Sequence, residues 1–138
     1  MASVTIRSSR DGAELTLRTD GVPTSETLDV SISAPNCSAH LAASTYHSGS
    51  PALLFRDMAA NWRGWEGELS WGTLEGEFKM TATCDRLGHI DLLVEMKSDS
   101  YPRDWELKAR LLLEAGTLDQ LHRSVLAVFP IHENAPED

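Results

Sequence analysis

At 138 residues the chain has the length of a single domain, 1–138, and can bury roughly two thirds of its unfolded surface without a disulfide or metal. Twelve Lys and Arg against 21 Asp and Glu leave a net charge of −9, which repels phosphate backbones and argues against general nucleic-acid binding. The opening MASVTIRSSR has no apolar h-region and no run approaches the ~20 apolar residues of a membrane span, so the sequence predicts a cytoplasmic chain without a membrane partner.

The first third reads as strands. SVTIRS places Val4 and Ile6 on one face, and Asp11-Gly12 can turn the chain into AELTLRT, where Leu15 and Leu17 alternate with polar residues. GVPTSE is a loop. TLDVSIS then aligns Leu28, Val30 and Ile32, and CSAHLAASTY reads as a fourth strand with Cys37, Ala39, Leu41 and Ala43 inward. A helix follows: Ser50 suits the N-cap, Pro51 the first helical position, and Leu54, Phe55, Met58, Ala59 and Trp62 recur at helical spacing until Gly64.

The segment WRGWEGELSW reads as a connector. Beyond it come three strands: Phe78, Met80, Ala82 and Cys84 alternate in the first, Ile90, Leu92, Val94 and Met96 in the second, and Trp105, Leu107, Ala109, Leu111 and Leu113 in the third. Arg86-Leu87-Gly88 has the form of a three-residue hairpin loop, which sets Asp85 opposite His89, Lys79 opposite Glu95 and Glu77 opposite Lys97. Pairing Met96 with Trp105 then sets Asp91 opposite Arg110 and Lys97 opposite Asp104, but leaves Glu95 facing Glu106. Thr117-Leu118-Asp119-Gln120 matches a capping box, and Leu118, Leu121, Val125, Val128 and Phe129 form an apolar stripe ended by Pro130. Residues 131–138 read as a frayed tail. The order ββββ–α–βββ–α predicts an α+β domain, one antiparallel sheet of six to seven strands with two helices on its apolar face.

Trp62 and Trp105 fall on inward positions and read as core. Trp65 and Trp71 lie where period gives no direction; they either plug the end of the core or present indoles to a ligand or partner, rimmed by Glu66 and Glu68. The five histidines lack zinc-site spacings and no cofactor is implied; Cys37 and Cys84 read as small buried hydrophobes. No nucleophile elbow, phosphate loop or dinucleotide fingerprint occurs. Glu66, Glu68, Glu75 and Glu77 cluster in sequence and would form an acid/base pair only if a cleft gathered them, so the chain is not expected to be an enzyme.

The stretch 53–129 resembles small bacterial, mainly actinobacterial, domains of unknown function. These share a helix ending in Trp-x-Gly-Trp, here Trp62-Arg63-Gly64-Trp65, a strand pair joined at Gly88-His89, and a strand leading into Gly116-Thr117-Leu118. The resemblance implies the same α+β fold and carries over no activity. In size, acidity and layout the chain is also similar to immunity proteins of bacterial toxin systems. That likeness implies an acidic face, with Trp65, Glu66, Glu68, Glu75 and Glu77, docking on a basic toxin-like partner. The alternatives are a small-molecule or carbohydrate site under Trp65 and Trp71, and a hydrolase with a carboxylate pair. A homodimer is compatible with an open sheet edge.

Overall fold

The computed structural model describes residues 2–22, 25–98 and 102–131. The sequence expectation for a frayed tail therefore falls, apart from Ile131, outside the described residues, as do Pro23 and Thr24 of the GVPTSE loop. The fold is α+β with antiparallel sheets, but the strands divide into two sheets of four rather than one of six to seven. The first holds β1 (Ala2–Arg7), β2 (Glu14–Thr19), β3 (Thr27–Ala34) and β4 (Cys37–Ser44) in chain order. Helix α1 (Ala52–Ala60) leads to the second, which holds β5 (Leu69–Gly72), β6 (Phe78–Cys84), β7 (His89–Lys97) and β8 (Glu106–Glu114), and a single 3-10 turn leads into α2 (Leu118–Val128). The element order is thus ββββ–α–ββββ–α, with one strand more than periodicity predicts. That strand, β5, is the four residues LSWG, too short to display an alternation.

The two sheets are tied together just past the end of β1. Ser9 N–H donates to the Leu112 carbonyl (2.9 Å), Leu112 N–H to Ser8 Oγ (3.0 Å), and the Arg10 guanidinium to the Arg110 carbonyl (3.3 Å). One apolar core serves both sheets: Ile6, Leu15, Leu17, Val30, Phe78, Met80, Leu92 and Leu111 join Leu54, Phe55 and Met58 of α1 and Leu118 and Val125 of α2. The period-2 faces read from the sequence are largely the buried faces here, because those side chains enter the core that both sheets and both helices share.

Gly88 takes φ +85°, which closes the β6–β7 hairpin and fixes the register Lys79 opposite Glu95. Lys97 N–H donates to the Glu77 carbonyl (2.9 Å), extending the same register past the strand. Between β7 and β8 the register differs by two residues from expectation: Met96 faces Leu107, not Trp105. A shift of two preserves the inward face and improves the outer one. Glu95 now faces Lys108 (4.0 Å) and Lys97 faces Glu106, so the Glu95–Glu106 clash does not occur, and Arg110 reaches Asp91 diagonally at 2.6 Å.

Several local expectations are corrected. Trp62 is 56% exposed, since α1 ends at Ala60 and Asn61 leaves helical geometry (φ −112°) before the fourth turn position is reached. Trp105 keeps inward parity but stands beyond the end of the core at 37% exposure, with its carbonyl taking the Ser98 N–H (3.0 Å). Cys37 opens β4 at the hairpin and is exposed, while Cys84 is half-buried; both are free thiols. The Thr117 capping box does not form: the Thr117 hydroxyl donates backwards to the Glu114 carbonyl (2.7 Å), across the 3-10 turn. Pro51, not Ser50, stands at the cap of α1, and Ser50 lies one residue ahead with its Oγ accepting from Ala52 N–H (3.0 Å).

Candidate functional site

The segment from Trp62 to Trp71 runs from the C-terminus of α1 along the second sheet. Asn61 bonds back twice to Asp57 and Met58 carbonyls, its side chain again to Asp57, and Gly64 N–H closes a turn on Asn61 O (2.8 Å). Gly64 (φ +117°) then lays the chain against β6, where an added Cβ would stand 3.9 Å from the Cys84 sulfur. This turn sends the three indoles to different fates. Trp62 is thrown to the surface with the Arg63 guanidinium stacked over its ring at 5.0 Å. Trp65 is half-buried, its indole N–H donating to the Ala82 carbonyl (3.2 Å). Trp71 is buried in β5, donating to the Ser48 carbonyl (3.1 Å) and meeting Phe78 edge-on at 6.0 Å.

Trp65 and Trp71 therefore spend their polar handles on backbone carbonyls, and Trp71 presents no face to a ligand. The indole that stands out is Trp62, which helical spacing had assigned to the core. No feature of the sequence marks it, except that it lies one residue past the polar Asn61 and two before a glycine that can end a helix.

The four glutamates do not gather. Glu66 and Glu68 are exposed in the connector at the start of β5, whereas Glu75 and Glu77 lie in the turn after its end. A four-residue strand between them spans about 13 Å. Glu77 is itself buried: its carboxylate accepts from the Thr73 hydroxyl (2.8 Å), and that hydroxyl also takes the Phe78 N–H (3.2 Å). It holds the β5–β6 turn together and is turned away from the surface. Glu75 is exposed and lends its carbonyl to Arg103 (2.8 Å).

The connector lies against the end of β6 through the Trp65 bond to Ala82, and the β6–β7 loop begins three residues on. Asp85 caps it, one oxygen accepting from Leu87 N–H (2.8 Å) and His89 N–H (2.9 Å), the other lying 3.0 Å from His89 Nδ1. The His89 amide, ahead of the ring's own contact, holds the Asp85 carboxyl below its usual value. Burial, with Asp85 adding to it, pushes the Cys84 thiol up, so this sulfur is kept protonated rather than activated. Leu87, at the loop tip, is 80% exposed. Trp62, Arg63, Glu66, Glu68 and Leu87 thus belong to two neighbouring loops at one end of the second sheet. No three His, Cys, Asp or Glu residues converge as a metal site among the described residues.

A second concavity lies elsewhere. A cavity of about 740 Å³ opens between the β2–β3 loop, the β4–α1 loop and the end of α2, walled by Thr19, Val22, Glu26, His47, Leu53 and Phe129 among others. Asp20 braces one wall, accepting from Val22 N–H (3.0 Å) and Ser25 Oγ (2.9 Å). His47 adopts φ +63°, the one positive φ outside glycine among the described residues.

The family of unknown function DUF6228 matches residues 6–130. No curated protein and no solved structure matches the chain.

Proposed function

The chain belongs to DUF6228, a family of unknown function, and we propose from its geometry that it is a protein-binding module. One observation carries the reading: an indole 56% exposed at the mouth of a tight turn, with only the Arg63 guanidinium stacked on it, while the β6–β7 loop exposes Leu87 to 80%. Folding gains nothing from leaving these apolar groups in water, and tryptophan is the side chain most often found as an interface anchor. Glu66 and Glu68 follow it as exposed carboxylates of the same connector, and the net charge of −9 would hasten encounter with a basic partner. A basic toxin-like protein neutralised by this surface is the partner of that chemistry, which makes the module one of immunity type. Catalysis has no support in this reading, because the carboxylates lie apart.

The test titrates the positively charged proteins encoded beside its gene against the purified chain, read by thermal shift and calorimetry. A true partner at a hundredfold excess over Kd stabilises the fold by about 2.7 kcal/mol. Trp62→Ala should then weaken binding by about thirtyfold with Tm unchanged, and Glu66→Lys with Glu68→Lys should slow association. If no such protein shifts Tm, or if Trp62→Ala binds as well as the wild type, the reading falls.

A second reading moves the small-molecule site from Trp65 and Trp71 to the cavity of about 740 Å³, whose size matches small-ligand pockets. The strained backbone of His47 at its rim favours it, since strain of this kind concentrates at binding sites. The occupant would be a small amphipathic molecule with a hydrogen-bonding end. The neutral amphiphile N-phenyl-1-naphthylamine should brighten on binding, and Leu53→Trp should abolish the signal without unfolding. Equal brightening by both proteins, or none by either, would rule the cavity out.

A further inference from the structure

We propose that two copies of this chain associate through β4, antiparallel about a twofold axis at Leu41, so that the two first sheets become one. The argument starts from what becomes of each sheet edge. An edge strand carries a row of unpaired N–H and C=O groups, and folded chains protect such rows by covering them, keeping them short or charging them. The two sheets have four edges: β1, β4, β5 and β8. β8 is charged along its length by Glu106, Lys108, Arg110 and Glu114 and is bonded at Leu112 by Ser8 and Ser9, whereas β1 is six residues, ends in Arg7 and packs against α2. β5 is four residues long and packs against α1. β4 is eight residues, Cys37–Ser44, with no charge, no proline and no bulge in its ladder with β3.

The hydrogen-bond phase says which groups are open. Thr45 N–H donates to the Glu26 carbonyl, in the register that pairs Leu41 with Val30. Antiparallel ladders alternate, so Cys37, Ala39, Leu41 and Ala43 direct their amides to β3. Ser38, His40, Ala42 and Ser44 direct theirs away from the sheet, and their side chains are exposed on the outer face.

The occupant follows from the fit of this edge to itself. Set antiparallel about Leu41, Ser38 faces the partner's Ser44 and His40 faces the partner's Ala42. The hydrogen-bonded pairs so made exchange about eight main-chain bonds. On the inner side Leu41 meets its counterpart, and Ala39 meets Ala43, side chains small enough to let the strands close. No like charges are opposed, although each chain carries −9. A strand from a partner of opposite charge has nothing on β4 to attract it, whereas a second copy needs only main-chain bonds. Tyr46, 52% exposed just past the strand, would lie beside the partner's Asn36 at the hairpin. The surface around Trp62 plays no part, so this inference stands apart from the proposed function.

Sedimentation equilibrium on the full chain tests it. The wild type should sediment near twice the chain mass of 15.2 kDa. Ala42→Lys, which sets a charge on the exposed face of the edge, should give a monomer with unchanged circular dichroism. Ser3→Lys, the same charge on β1, should remain a dimer. Amide exchange gives an independent reading: His40 and Ala42 N–H should be protected in the wild type and open in Ala42→Lys. A wild type that is monomeric at roughly 100 µM, where even weak interfaces fill, overturns the proposal. So does a dimer that survives Ala42→Lys, or one in which those amides exchange freely.

Discussion

Trp71→Phe set against Trp62→Phe separates a buried tryptophan from an exposed one within ten residues. Trp71 is 6% exposed and donates to the Ser48 carbonyl at 3.1 Å, so phenylalanine removes the donor and leaves a half-buried carbonyl unpaired. That costs about 1 kcal/mol. The smaller ring gives up roughly 40 Å² of buried apolar area, about another 1 kcal/mol at 25 cal/mol per Å². The void left beside Phe78 adds about as much again if the core does not collapse. The expected loss is about 2–4 kcal/mol, or roughly 7–14 °C in Tm for a domain of this length. Trp62, 56% exposed and touched by Arg63, should cost no more than about 0.5 kcal/mol. Urea unfolding followed by far-ultraviolet circular dichroism measures both without relying on the altered fluorophores. Acrylamide quenching should show an accessible emitter that Trp62→Phe removes, with Trp105, 37% exposed, supplying a smaller residue. Equal destabilisation by the two substitutions, or quenching unaltered in Trp62→Phe, would refute this assignment of the indoles.

The hairpin carboxylate adds a pH dependence. The folded pKa of Asp85 lies below 3.8, so its stabilisation is fully present above the unfolded value and is lost as pH falls through the folded one. Wild type should therefore exceed Asp85→Asn in Tm by a constant margin above about pH 5. The margin should shrink steadily below about pH 4, and one that widens there would contradict the hydrogen bonding of Leu87 and His89 to Asp85. The partner, cavity and dimer tests given with their proposals complete the set.

Much of the fold is legible where local rules act alone. The β6–β7 register follows from one loop, because Gly88 permits the left-handed turn that sets Lys79 against Glu95. Ser50 and Pro51 mark the start of α1 for equally local reasons. The site was less legible. β5 offers four residues to a period of two, and its strand identity comes only from pairing Leu69 with Ala82 and Trp71 with Met80. Glu77 looks like any solvated glutamate until Thr73 folds over it.

The amino-acid sequence by itself determined the alternation of faces, the position of both helices and the acidity of the surface, since each depends on residues a few positions apart. The tertiary structure decided how far α1 runs before its end turns Trp62 outward. It also decided where β8 slides along β7 so that Glu95 finds Lys108, and how the strands divide into two sheets. The register and the division into sheets rest on contacts between separate strands, and the end of α1 on a local turn whose bonds at Asn61 and Gly64 no period displays. Parity fixes which face of a strand is buried, but only packing fixes its displacement by even steps and the place where the core stops.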